Sequence, residues 1–166
     1  MTPIDGLALM PSWSPDGQTI AYYYSIDQTE ASNKSPWIVN AHDKSAPRPA
    51  TSSAMNLTCL ELMVDELHNS MIGRPSWFPD STSLLITVQE RGQIHLYSLN
   101  IVHDQTVKLT SGNGCYINPQ LSNDGQTIAV IRTDWFTPGD VWKMDSNGEN
   151  RHKLTGVNDT FLRSRQ

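Results

Sequence analysis

Only two cysteines occur in 166 residues, Cys59 and Cys115, and they show neither metal-ligand spacing nor a C-x-x-C pattern. That excludes a framework of several disulfides and a cysteine-based zinc site; buried free thiols in a reducing cytoplasm are the expected reading, ahead of a single bridge. No block of like charge is present: 12 basic and 17 acidic residues give a net charge of -5 spread along the chain. There is thus no electrostatic footprint for nucleic acid or anionic lipid. The first ten residues lack a basic segment and an apolar run of signal-peptide length, and no later stretch approaches a membrane span, so the expected location is cytoplasmic. No Gly-x-Ser-x-Gly step occurs, which removes the nucleophile elbow of an α/β-hydrolase, and no phosphate-cradling loop followed by Lys-Ser/Thr is found. Sequons begin at Asn33, Asn56 and Asn158, a number that a Ser/Thr-rich and Asn-rich chain produces by chance.

What the chain does have is repetition. PSWSPDGQTIAYYY (11–24), PSWFPDSTSLLITV (75–88) and NPQLSNDGQTIAVI (118–131) are one motif written three times. Trp13, Trp77 and Leu121 fall at one position, Asp16, Asp80 and Asp124 at another, and Gly17, Ser81 and Gly125 at a third. Each copy reads as a strand, a tight turn and a second strand rich in β-branched or aromatic residues. In Ser14-Pro15-Asp16-Gly17 the proline presets the backbone, the aspartate suits the bridge region, and the glycine takes the left-handed position. A third and a fourth strand can be placed after every hairpin, over 36–41 and 48–51, 93–99 and 106–110, and 139–144 and 151–154. Asp145-Ser146-Asn147-Gly148 supplies the turn between the last two, and Lys108-Leu109-Thr110 and Lys153-Leu154-Thr155 end their units alike.

Four antiparallel strands repeated at roughly forty residues are the pattern of a β-propeller. The expected fold is all-β, a propeller fragment of about three blades at about 7–52, 71–110 and 115–155, forming a single partial domain over 1–166. An insertion occupies about 53–70, where Thr58 and Glu61 are spaced as a capping box and Leu60, Met63, Val64 and Leu67 fall at helical intervals; an extended connection fits equally. Three blades leave two open edges, so the remaining blades, a hydrolase domain or a second copy of the chain is expected to cover them, and the chain is expected to be a fragment.

Candidate site residues reduce mostly to structure. His42 and His103 lie in expected turns, His68 in the insertion, and His152 in a last strand between Arg151 and Lys153. His95 is the one weak ligand candidate, mid-strand in Ile94-His95-Leu96-Tyr97, with a hydrogen-bonded structural role as the competing reading. The run 145–150 only loosely suggests a calcium loop and lacks its closing Glu, and Thr110-Ser111-Gly112-Asn113-Gly114 is read as a loop between blades. Trp13, Trp77 and Trp142 are expected to be core fillers. No catalytic, cofactor-binding or metal residue is assigned.

The unit over 118–155 resembles the repeat of TolB-type propellers, with its hairpin, Asx-Gly turn and terminal Leu-Thr. The same motif occurs in the propeller of the prolyl oligopeptidase family. Gly92-Gln93-Ile94-His95-Leu96-Tyr97, Pro138-Gly139-Asp140-Val141-Trp142 and Leu154-Thr155-Gly156-Val157-Asn158 resemble segments of its acylaminoacyl-peptidase branch. The resemblance implies a non-catalytic propeller that caps a serine peptidase active site absent from this chain and filters peptide access to it. Its implied partners are the α/β-hydrolase domain of the same polypeptide and peptides, with no cofactor, nucleic acid or membrane. The TolB-like alternative is a protein-binding module.

Overall fold

A computed structural model of the chain describes residues 6–26, 33–59 and 73–164. The first repeat folds as β1 (Leu7–Trp13), β2 (Thr19–Ser25), β3 (Ser35–Asn40) and β4 (Arg48–Pro49). The second gives β5 (Ser76–Trp77), β6 (Ser83–Glu90), β7 (Gln93–Asn100) and β8 (Gln105–Lys108). The third gives β9 (Cys115–Leu121), β10 (Thr127–Thr133), β11 (Asp140–Asp145) and β12 (His152–Lys153), followed by the short helix α1 (Asp159–Arg163). Within each repeat consecutive strands pair antiparallel, so the fold is the all-β arrangement of propeller blades. The second and third repeats share one sheet through a single parallel bridge between Ile94 and Cys115. Of the expected insertion, Ala54–Asn56 forms one 3₁₀ turn, and the helix reading over Leu60, Glu61, Met63, Val64 and Leu67, like His68, lies outside the described residues.

The repeated turn explains itself chemically. Asp16 Oδ1 accepts the Gln18 N–H and the Ser14 hydroxyl, while Ser14 Oγ accepts the Thr19 N–H at 2.9 Å. Asp124 and Ser122 repeat this with Gln126 and Thr127. The second repeat has Phe78 where the others have serine, and there Asp80 Oδ1 takes both the Thr82 and Ser83 N–H groups. One carboxylate thus closes all three hairpins, and its pKa is lowered each time, chiefly by the serine hydroxyl for Asp16 and Asp124. Gly17 and Gly125 occupy the left-handed region at φ 70° and 72°, and Ser81 accepts the same conformation at 56° without a glycine's freedom. A second shared device bends the first strands: β1 and β9 each carry a bulge, and Met10 and Asn118, six residues before their aspartates, both have positive φ.

Alternation along the second strands builds two cores. Leu84, Ile86 and Val88 of β6 face the first repeat and pack with Ala21, Tyr23, Ile38 and Ala50. Leu85 points the other way and packs with Leu96, Tyr116, Ile128, Val130 and Met144 of the seam with the third repeat. Each such side chain contributes roughly 1.5–3 kcal/mol on leaving water. Trp77, Trp142 and Leu121 are partly buried against these cores. Trp13 corrects the expectation: it is 60% exposed and fills no core. A repeat position is buried by the neighbouring repeat it meets, and nothing among the described residues covers this one.

Candidate functional site

At one end of the sheets, three loops surround a cleft of about 260 Å³. Its walls are Gly92 and Gln93 from the β6–β7 turn, Gly114 and Cys115 at the start of β9, and Thr133, Asp134 and Trp135 after β10. The first wall is a two-residue turn with Arg91 at φ 51° and Gly92 at 77°, the pair of left-handed residues that a type I′ hairpin requires. The last wall is tied down by Asp134. Its Oδ1 accepts the Phe136 and Thr137 N–H groups, its N–H donates to Thr137 O, and its second oxygen pairs with Arg132 at 3.2 Å. That staple presents Trp135 at 93% exposure and Phe136 at 87%.

His95 sits beneath this cleft, 2% exposed. Its Nε2 lies 2.9 Å from Gln93 Oε1, an acceptor, so Nε2 carries the proton. Nδ1 is then the acceptor of the Thr110 hydroxyl at 3.2 Å, and Thr110 Oγ1 in turn accepts the Leu96 N–H at 2.9 Å. Gln93 passes the chain on by donating to Asn113. Burial lowers the His95 pKa, Lys108 and Arg151 add to the effect, and Glu90 opposes it, so the ring is held neutral. The Glu90 carboxylate is itself kept below its ordinary value, first by Lys108 and also by the Tyr97 hydroxyl, which donates to it at 3.1 Å. With both ring nitrogens engaged, the geometry uses His95 to fix Gln93 as a wall of the cleft.

The other end carries a wider groove of about 480 Å³, where the first strands β1, β5 and β9 converge. Ser12, Trp13, Trp77, Gln120, Leu121 and Arg74 line it, so the repeat positions Trp13, Trp77 and Leu121 meet there. Asp16, Gly17, Asp80, Asp124 and Gly125 form the turns beside it. His42, His103 and His152 lie at exposed positions, and the 145–150 run is a hairpin turn closed by a bond from Gly148 N–H to Asp145 O. Among the described residues no three His, Cys, Asp or Glu side chains cluster as metal ligands, and no helix is long and apolar enough to cross a membrane.

Sequence reasoning passed over Trp135 and Phe136, although Asp134 followed by Thr137-Pro138 is a readable Asx-turn signature with two aromatics inside it. Cys115 as a cleft wall and Thr110 as the partner of His95 have no local signal.

No family model matches the chain. The fold is found among solved structures. A putative TolB from Agrobacterium tumefaciens superposes with a TM-score of 0.65 at 16% identity, over 90% of this chain and 49% of that one. A Mycobacterium tuberculosis puromycin-hydrolysing peptidase gives 0.60 at 19% identity, over 92% and 21%. A prolyl endopeptidase gives 0.59 at 12% identity, over 92% and 22%. The chain therefore has the fold of TolB-like propellers and of the propeller part of such peptidases. It spans about half the length of the first and about a fifth of the other two.

Proposed function

We propose that this chain is the non-catalytic propeller part of a serine peptidase of the prolyl oligopeptidase family, in its acylaminoacyl-peptidase branch. It caps an α/β-hydrolase active site that lies outside this sequence and limits access to short peptides. The groove at the convergence of β1, β5 and β9 carries this reading. At about 480 Å³ it falls in the roughly 300–1,000 Å³ range of small-ligand sites, so an extended peptide enters and a folded chain does not. Its walls are strand ends held by core packing, which makes the filter steric and rigid. Two free cysteines, one of them half-buried, support placement in a reducing cytoplasm.

The test has two parts. The reading frame of the full polypeptide should continue into a Gly-x-Ser-x-Gly elbow followed by Asp and His, and the purified chain should leave N-acyl-aminoacyl and prolyl peptide substrates uncleaved. Hydrolysis by the chain alone would refute the division of labour.

A second reading, a TolB-like protein-binding module, is favoured by the stapled display of Trp135 and Phe136 beside the smaller cleft. An upstream signal peptide with no downstream hydrolase would select it.

A further inference from the structure

The cleft walled by Gln93 and Trp135 continues into a second hollow of about 460 Å³, which shares Gly92, Gln93 and Cys115 with it and adds Gln89, Glu90 and Arg91 from the β6–β7 hairpin. The polar side chains of the first cleft are already engaged within the protein. Gln93 Oε1 accepts from His95 and its amide donates to Asn113, the Thr133 hydroxyl donates to Thr137 O at 3.0 Å, and both oxygens of Asp134 are taken by backbone N–H groups and Arg132. What this cleft offers an occupant is therefore apolar contact, chiefly with the exposed face of Trp135. Its volume of about 260 Å³ lies below the roughly 300–1,000 Å³ of sites for whole small ligands and suits one large side chain.

The second hollow differs in what it leaves unspent. Glu90 is neutralised by Lys108, and Arg132 by Asp134, whereas Arg91 is exposed and has no hydrogen-bond or ion-pair partner among the described residues. The uncompensated charge at this site is thus a single cation, and the complementary group is a carboxylate. Gln89 lines the same hollow, and its side-chain oxygen is buried with no hydrogen-bond partner, so an acceptor is left for an N–H of the occupant. Arg91 and Gly92 are neighbours in the turn, and Gly92 walls both hollows, so the cation adjoins the apolar cleft. The C-terminal residue of a peptide matches that adjacency, because its side chain and its carboxylate leave one Cα. An internal aspartate or glutamate would carry its carboxylate on a different residue from the apolar side chain.

We propose that the two hollows bind the free C-terminus of a peptide that ends in a large apolar residue. The terminal side chain lies in the smaller cleft against Trp135, the α-carboxylate pairs with Arg91, and the residue's N–H turns toward Gln89 Oε1. His95 acts here as a positioning residue, since its bond to Gln93 fixes the wall that the two hollows share. The site lies at the opposite end of the sheets from the groove that carries the capping role, so this inference goes beyond that reading and is tested separately from it.

The experiment is a titration of the isotope-labelled full chain with N-acetyl-Gly-Phe as the free acid, followed by NMR of the backbone amides. The signals of Gly92, Gly114 and Trp135 should shift as the peptide is added. The C-terminal amide of the same peptide, and the free acid of N-acetyl-Gly-Ala, should each bind about tenfold more weakly, the worth of one charge-assisted hydrogen bond and of one buried aromatic side chain. Arg91→Asn preserves the turn, which an Asn-Gly step suits, and should weaken the acid about tenfold while leaving the amide unchanged. Trp135→Ala, at an exposed position, should weaken acid and amide alike. Equal binding of acid and amide, or an Arg91→Asn chain that still separates them, overturns the proposal. So does an N-acetyl-Asp-Phe amide that binds as well as the free acid, which would assign Arg91 to an acidic side chain. The absence of any shift at millimolar peptide overturns it, and shifts confined to Ser12, Trp77 and Gln120 overturn it while moving peptide binding to the groove of the capping reading.

Discussion

Replacing Thr110 by valine isolates the network under the smaller cleft. Thr110 is 1% exposed, and valine keeps its shape while removing the hydroxyl. Two buried groups then lose their partner: the Leu96 N–H, which donates to Oγ1 at 2.9 Å, and His95 Nδ1, which accepts from it at 3.2 Å. An orphaned buried donor or acceptor costs about 1–3 kcal/mol, so Thr110→Val should cost about 2–5 kcal/mol. For a chain of this size that corresponds to a fall in melting midpoint of roughly 5–20 °C. Thr110→Ser keeps the hydroxyl and loses one methyl group, with an expected cost near 1 kcal/mol. Urea unfolding of the three proteins measures both. If valine and serine destabilise equally, or valine costs less than about 0.5 kcal/mol, the hydroxyl is not what satisfies the Leu96 N–H and His95 Nδ1, and the account of His95 fails.

The His95 pKa, lowered first by burial, predicts a pH dependence of definite sign. The unfolded chain binds the proton first as pH falls, so stability is complete above about 6.5 and declines below it toward the lower native pKa. Urea midpoints between pH 8 and pH 5 should show the decline, and a His95→Phe chain should lack it; the same slope in both would assign the effect elsewhere. Gly125→Ala should destabilise by about 1–3 kcal/mol, since its Cβ would lie 2.5 Å from Pro79 at a left-handed backbone position, and a neutral result would mean that the second and third turns are not in contact. Cys59 is fully buried and its thiol pKa is pushed well up by burial, so native thiol labelling should modify Cys115 alone and denaturant should expose both. Equal native labelling of the two would contradict the first core.

The hairpins were legible because their chemistry is local. An aspartate two residues ahead of the N–H it accepts, with a left-handed residue between them, fits in a short window, and the strands flanking Asp16, Asp80 and Asp124 followed from it. Third strands were readable from apolar runs, whereas β4, β5 and β12 pair over only two residues each, a length that no local apolar pattern marks. Trp13 shows the limit of repeat reasoning: identity of position predicted burial, whereas burial depends on having a neighbouring repeat. The pairing of His95 with Thr110 escaped for a related reason. Thr110 is fifteen residues away in sequence and meets the ring only because β8 returns along β7.

The β6–β7 hairpin, besides walling the smaller cleft, also bears on how the chain assembles. Its eight register pairs, from Ser83 with Asn100 to Glu90 with Gln93, are closed by a two-residue turn, so it forms at the lowest loop-entropy cost of any long ladder among the described residues. It also presents both core faces, Leu84, Ile86 and Val88 on one side and Leu85 and Leu96 on the other. The middle repeat is therefore the expected folding nucleus, with the outer repeats condensing onto either side. Leu→Ala changes at Leu84 or Leu85 should slow folding, whereas Ile38→Val or Met144→Leu should mainly speed unfolding. Stopped-flow kinetics showing the reverse would place the nucleus in an outer repeat.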